Sequence, residues 1–134
     1  MPVLIDTNVA IHLRDGDPDI VGRIAALDEP PSISIITRIE LEGGLSAKPH
    51  LAEMRRRAQL EMLDEIATLD FEMAMVEAYR RILDASGYSR ARVLDRMIAA
   101  TAIVHGLTLI TINGADFRDI PGLALEIWPS PAPQ

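Results

Sequence analysis

Val93-Leu94-Asp95-Arg96-Met97-Ile98-Ala99-Ala100-Thr101-Ala102-Ile103-Val104-His105, then Gly106, then Leu107-Thr108-Leu109-Ile110-Thr111, is the stretch that decides the fold. Its first part predicts a helix from Val93 to His105, because Asp95, Ile98, Ala99 and Ala102 fall on one face at helical spacing. Gly106 ends that helix. The apolar run over 107–111 predicts a short buried strand. A helix feeding at once into such a strand belongs to a parallel sheet covered by helices on both faces.

Outward from this unit the same alternation recurs. Val3-Leu4-Ile5 predicts a strand ending in Asp6-Thr7-Asn8, and residues 20–27 a helix that stops before Pro30-Pro31. A second strand covers 32–35. Thr37 is then placed as the cap of a helix, with Glu40 at its third position and its end near Gly43-Gly44. A long helix is predicted over 49–66, with Leu51, Met54, Ala58 and Met62 on its stripe and Leu60 and Leu63 off it. Residues 67–70 read as a third strand. Phe71, Met75, Ala78, Tyr79 and Ile82 share a face of the next helix, which Gly87 closes. Asn113-Gly114 opens a loop, and 123–127 reads as the last strand. The expected class is α/β, three layers around a short, mainly parallel central sheet. One domain is expected over 1–128, with a disordered proline-rich tail at 129–134.

Composition narrows the chemistry. The 134 residues are 49% hydrophobic, enough for one domain with a sizeable core. No cysteine is present, so disulfides, zinc–thiolate sites and thiol nucleophiles are excluded. No signal-peptide pattern and no apolar run of membrane-spanning length is seen, so a cytoplasmic protein with no membrane association is expected. GxxxxGK[ST] and GxGxxG loops are absent. His12, His50 and His105 lack ligand spacing. Arg55-Arg56-Arg57 reads as a solvated helix face. The formal net charge of −7 is the wrong sign for contact with phosphates unless a bound cation reverses it locally.

In open parallel sheets, ligands bind at the carboxyl ends of the strands. Four acids fall on that rim: Asp6 at the end of the first strand, Glu40 at the opening of the helix after the second, Asp95 near the start of the helix from Val93, and Asp116 in the loop after Thr111. Singly, each has an ordinary explanation. Asp6 suits a turn, Glu40 a capping box, Asp95 the helix dipole, and Asp116 a short helical turn. Together they repel one another and need a counter-charge, yet Lys48 is the one lysine of the chain. Hard oxygen donors point to Mg²⁺, with Mn²⁺ as a substitute, and to phosphodiester hydrolysis.

Ile5-Asp6-Thr7-Asn8, the stretches 36–44 and 94–102, the run 109–113, Asp116-Phe117 and the stretch 120–123 together resemble the PIN-domain family. The order and spacing match over nearly the whole chain, and the resemblance is greatest to the VapC-type toxins of VapBC toxin–antitoxin pairs. It implies a Mg²⁺-dependent endoribonuclease that hydrolyses RNA phosphodiesters with metal-activated water. It implies that Asp6, Asp95 and Asp116 hold metal, and that Glu40 binds it through a water or orients the nucleophile. Thr7, Thr111 and Asn113 match the polar residues that support those carboxylates. It also implies a VapB-like antitoxin seated in the acidic pocket, a homodimer, and a larger assembly with the antitoxin. The chain departs from many relatives at Ser89-Arg90-Ala91-Arg92-Val93, where an uncharged, often proline-containing stretch is usual. Apolar residues beyond the packing stripes, Met73, Val76 and Leu83 among them, are also what a dimer interface requires.

Two other classes remain to be weighed. A PIN nuclease of RNA maturation, working without an antitoxin, shares every motif. A signalling receiver domain shares the strand-end acids, and Asp6 with Asp70 imitates its pocket, but it needs a lysine at a late strand end and Lys48 comes too early.

Overall fold

A computed structural model describes residues 2–131. Five strands form one parallel sheet: β1 Val3–Ile5, β2 Ser32–Ser34, β3 Ala67–Leu69, β4 Thr108–Thr111 and β5 Leu125–Ile127, in the order β3-β2-β1-β4-β5. The chain steps outward from β1 to β3, then crosses back to the other side of β1. The order therefore reverses at the β1–β4 crevice, where Val3, Leu4 and Ile5 pair with Thr108, Leu109 and Ile110.

Six α-helices join the strands among the described residues: α1 Thr7–Arg14, α2 Pro18–Ala25, α3 Ile35–Ala47, α4 Pro49–Glu65, α5 Met73–Ser86 and α6 Val93–His105. Alternating strand residues feed two cores. Leu4 and Leu109 join Met75, Ala78 and Ile82 of α5 and Ile98, Ala99 and Ala102 of α6. Val3, Ile5 and Ile110 join Val9 and Ala10 of α1, Ile20 of α2 and Met62 of α4. Helix α3 serves both, sending Ile36 to the first core and Leu41 to the second.

The α6–β4 unit is as the sequence predicts, with Gly106 in the left-handed conformation that ends α6 at φ 65°. The predicted face of α5 also packs inward. Elsewhere the boundaries differ for local reasons. Helix α1 has no counterpart in the sequence reading: eight residues are too few for a clear period, and Asp6 caps it by accepting from the Val9 amide at 3.1 Å. Helix α2 starts at Pro18 because Asp17 caps it, not at residue 20.

Helix α3 starts three residues earlier than expected, because Ser34 rather than Thr37 caps it, accepting from Ile36 N at 3.0 Å. Thr37 lies in its first turn and Glu40 in its second, so no capping box forms there. Gly43-Gly44 do not end the helix, although each glycine costs ~1 kcal/mol in a helix interior. Leu41 and Leu45, both buried, carry it through to Ala47. Helix α4 is rotated from its predicted stripe: Gln59 and Met62 are buried, whereas Met54 is 69% exposed. The arginine run on α4 is more than solvated surface, since Arg55 and Arg56 lie 3.7 Å from Asp15 and Glu42. Strand β5 begins at Leu125, not residue 123. Trp128 beyond it is buried, and the expected tail lies in part, at 132–134, outside the described residues. Among the described residues, no helix is long and apolar enough to cross a membrane.

Candidate functional site

Asp6 stands where β1 ends at the crevice. Its amide donates to Ile110 O of β4 at 3.1 Å, and its residue is 4% exposed. One carboxylate oxygen caps α1. The other accepts from Thr111 Oγ1 at 2.6 Å, and Thr111 Oγ1 in turn accepts from Asn113 N at 2.9 Å. Thus the end of β4 fixes the carboxylate at the end of β1, and Asn113 contributes through its backbone. Burial is the largest influence on Asp6 and raises its pKa. Thr111 and Val9 lower it, and the charges of Glu40 and Asp116 raise it again.

Glu40 reaches the same place from the second turn of α3. Thr7 Oγ1, in the first turn of α1, donates to Glu40 Oε1 at 2.6 Å and lies 3.0 Å from Thr37 Oγ1. The α1 that the sequence reading lacked therefore does two jobs: its cap is Asp6, and its first residue orients Glu40.

Asp95 lies in the first turn of α6. Its carboxyl is pushed up to about 6 from 3.8, by burial first and then by Asp116, Glu40 and Asp6, with Arg92 acting in the opposite direction. Asp116 closes the short 3-10 turn Gly114–Asp116 after β4. The four acids predicted from the sequence are thus electrostatic neighbours at the switch-point crevice. Lys48, between α3 and α4, and Asp70, beyond the edge strand β3, are not among the groups acting on Asp6 or Asp95. The receiver-type pocket is not formed.

The sequence reading left Arg92 without a role at the site. It precedes α6 in the turn Arg90–Arg92, and its Nη1 donates to Asp116 O at 2.9 Å and lies 3.8 Å from Asp116 Oδ1. The signal was the basic stretch 89–93 that sets this chain apart. Arg96, next to Asp95, was also unremarked. It is 2% exposed and donates to Gly87 O at 2.6 Å.

Among the described residues, no three carboxylate or imidazole groups are drawn into a closed cage. The donor set nonetheless fits a hard divalent cation: four carboxylates from four segments, two of them with raised pKa, opposed by one guanidinium. Burial of this kind is costly for the charged forms and becomes favourable only with added positive charge.

Comparison with known proteins agrees with this geometry. The family model of the PIN domain matches residues 3–123. The chain is 42% identical to "Ribonuclease VapC1" of Rickettsia felis over 127 residues, covering 92% of this chain and 93% of the relative. It is 31% identical to "tRNA(fMet)-specific endonuclease VapC" of Salmonella typhimurium over 129 residues, covering 93% and 96%. VapBC2 from Rickettsia felis, solved bound to a DNA fragment from its promoter, superposes with a TM-score of 0.84 at 28% identity, covering 96% of this chain and 99% of that one.

Proposed function

The chain belongs to the PIN-domain family, and from that premise we propose that it is an endoribonuclease, the toxin of a type II toxin–antitoxin pair, dependent on Mg²⁺ or its substitute Mn²⁺. The observation that carries the chemistry is that Asp116, Glu40 and Asp6 all lie within electrostatic reach of Asp95 at the β1–β4 crevice. Asp6, Asp95 and Asp116 would hold the cation, and Glu40 would hold it through a water or orient the attacking water. The cation, when bound, supplies an acidified water and Lewis acidity toward the phosphate.

The chain's own residues do the rest. Thr111 and the Val9 amide hold both oxygens of Asp6, so its geometry is set before any ligand arrives. Thr7 fixes one oxygen of Glu40. Asp95, whose carboxyl is pushed up to about 6 by burial and its acidic neighbours, would hold the cation in its ionised form.

The partner is a small VapB-like antitoxin whose basic side chain enters the acidic pocket, as the net charge of −7 favours. Copies of this chain pair through apolar surface on α4 and α5, where Met54, Leu60, Met73 and Val76 are exposed, and the dimer assembles further with antitoxin. An RNA substrate and the absence of cysteine both suit the cytoplasm. The test is incubation of purified protein with cellular RNA in Mg²⁺, Mn²⁺ or EDTA, with mapping of the new ends. Cleavage leaving 5′-phosphates, and none in EDTA, is expected. EDTA-resistant cleavage or cyclic phosphate ends overturn the mechanism. For the toxin role, growth arrest relieved by the gene encoded alongside is expected. Normal growth with the chain alone in several hosts, and no small protein co-purifying, retains only the nuclease.

A further inference from the structure

We propose that Arg92 is the residue that binds the scissile phosphate, released from its ion pair with Asp116 when a divalent cation takes that carboxylate. The proposal rests on the nuclease reading above.

Arg92 is tethered, not free to wander. Its Nη1 donates to the backbone carbonyl of Asp116 at 2.9 Å, a bond that does not depend on the Asp116 side chain. Its contact with Asp116 Oδ1, at 3.8 Å, is too long for a hydrogen bond. The carboxylate can therefore leave while the guanidinium stays. Arginine carries five N–H donors, and the tether uses one. The side chain is 36% exposed, so the remaining donors are open to an incoming ligand.

Arg92 is also the cation that opposes three carboxylates acting on Asp95. Among those acids, Asp116 is the one it contacts. A divalent cation held among the four acids would offset two of their charges, so the hold of Asp116 on the guanidinium would weaken and its free donors could turn to a phosphate. A fork of N–H donors fits two phosphate oxygens, and added positive charge is what developing negative charge on a phosphoryl group requires. The chain otherwise offers RNA an unfavourable net charge of −7.

Two roles for Arg92 predict opposite signs. If it serves the phosphate, it competes with the metal, because two positive charges share Asp116. Arg92→Gln then binds metal as tightly as the wild type, or a few-fold more tightly, and yet cleaves slowly. If it merely positions Asp116, its loss weakens metal binding, and excess metal restores cleavage. The experiment measures Mn²⁺ affinity by titration calorimetry, and cleavage of cellular RNA at saturating Mn²⁺, for wild type, Arg92→Gln and Arg92→Lys. Undiminished Mn²⁺ affinity with cleavage down ~10- to 100-fold, partly recovered in Arg92→Lys, is expected. Weakened Mn²⁺ affinity with cleavage restored by excess metal overturns the proposal, as does unchanged cleavage by Arg92→Gln. A wild type that binds Mn²⁺ but leaves all RNA intact instead overturns the nuclease reading, and the proposal with it.

Discussion

Asp95 and Arg96 are neighbours on α6 and belong to two differently built regions. Around Asp95, at the β1–β4 crevice, burial and three neighbouring carboxylates raise its pKa, and the Arg92 guanidinium opposes them. Around Arg96, charge and partner are matched within the chain. Its Nη1 donates to Gly87 O at 2.6 Å, its Nη2 lies 3.5 Å from Asp119 Oδ2, and Ser86 Oγ donates to Asp119 O at 2.7 Å. Only its Nε, among buried side-chain atoms of the described residues, lacks a partner. The second region ties the end of α5 and the loop after Asp116 to α6. The first is left short of positive charge. One buried charge has its counter-charge within the chain, while the adjacent acidic cluster has a single guanidinium, and such an imbalance is a mark of a functional site.

The sharpest way to break this contrast is to neutralise each side in turn. Asp6→Asn or Asp95→Asn removes a carboxylate that is destabilised without metal, so RNA cleavage is expected to fall by ~10³-fold or more, while the metal-free fold keeps or gains stability. Cleavage assays and melting curves in EDTA check both. A folded, fully active variant removes the site assignment. Arg96→Ala does the reverse. It empties a buried volume and strands the Gly87 carbonyl, so a loss of ~2–4 kcal/mol in denaturant unfolding is expected. A loss under ~1 kcal/mol would mean that the knot is not a stability element.

How far these regions could be read from sequence follows from what each depends on. The helix Val93–His105, Gly106 and β4 were legible because their pattern is local and unbroken. The four acids were legible because strand ends converge by topology, which the alternation of elements already implies. Helix α1 was not, since its start depends on the Asp6 side chain doing the work of a cap. The start of α3 turned on a choice between two capping hydroxyls, Ser34 and Thr37, three residues apart. The rotation of α4 was set by Gln59, which is buried between Arg14 and Glu42, contacts with no sequence signature. Arg92 lay in the basic stretch 89–93 and Arg96 just beyond it, and the partners of both depend on the path of the loop after β4, which no local pattern gives.

A smaller effect follows from pH. The Asp95 carboxyl, pushed up to about 6 in the fold from an ordinary 3.8, binds its proton more tightly folded than unfolded. Its contribution to stability is therefore present in full below pH ~4 and lost as pH rises through ~6. Linkage gives an upper figure of ~3 kcal/mol for a shift of this size, and solvent screening at this half-buried group reduces it to ~1–2. In EDTA, Asp95→Asn should thus be more stable than wild type by ~1–2 kcal/mol at pH 7, with the gap closing toward pH 4. Added Mn²⁺ should restore the wild type alone. A gap that does not change with pH removes Asp95 from the list of strained groups.

Within the acidic region itself, two threonines support two acids under different burial, and the same substitution separates them. Thr111 is fully buried and donates to the 4%-exposed Asp6. Thr7 is half-buried and donates to half-buried Glu40. Valine keeps the shape of threonine and removes the hydroxyl. At Thr111 no water replaces it easily, so Asp6 loses a donor that lowers its pKa, and Asn113 N loses its acceptor. Thr111→Val should cost ~1–2 kcal/mol and raise the Mn²⁺ concentration needed for half-maximal cleavage several-fold, about tenfold at the upper end. At Thr7, water reaches the freed Glu40 oxygen, so Thr7→Val should cost ~0.5 kcal/mol and leave the metal requirement within about twofold of wild type. The two variants, melted in EDTA and titrated with Mn²⁺ side by side, decide whether burial or mere proximity sets the value of a supporting hydroxyl here. If Thr7→Val proves the more damaging, Glu40 and not Asp6 is the carboxylate on which the metal's seat depends.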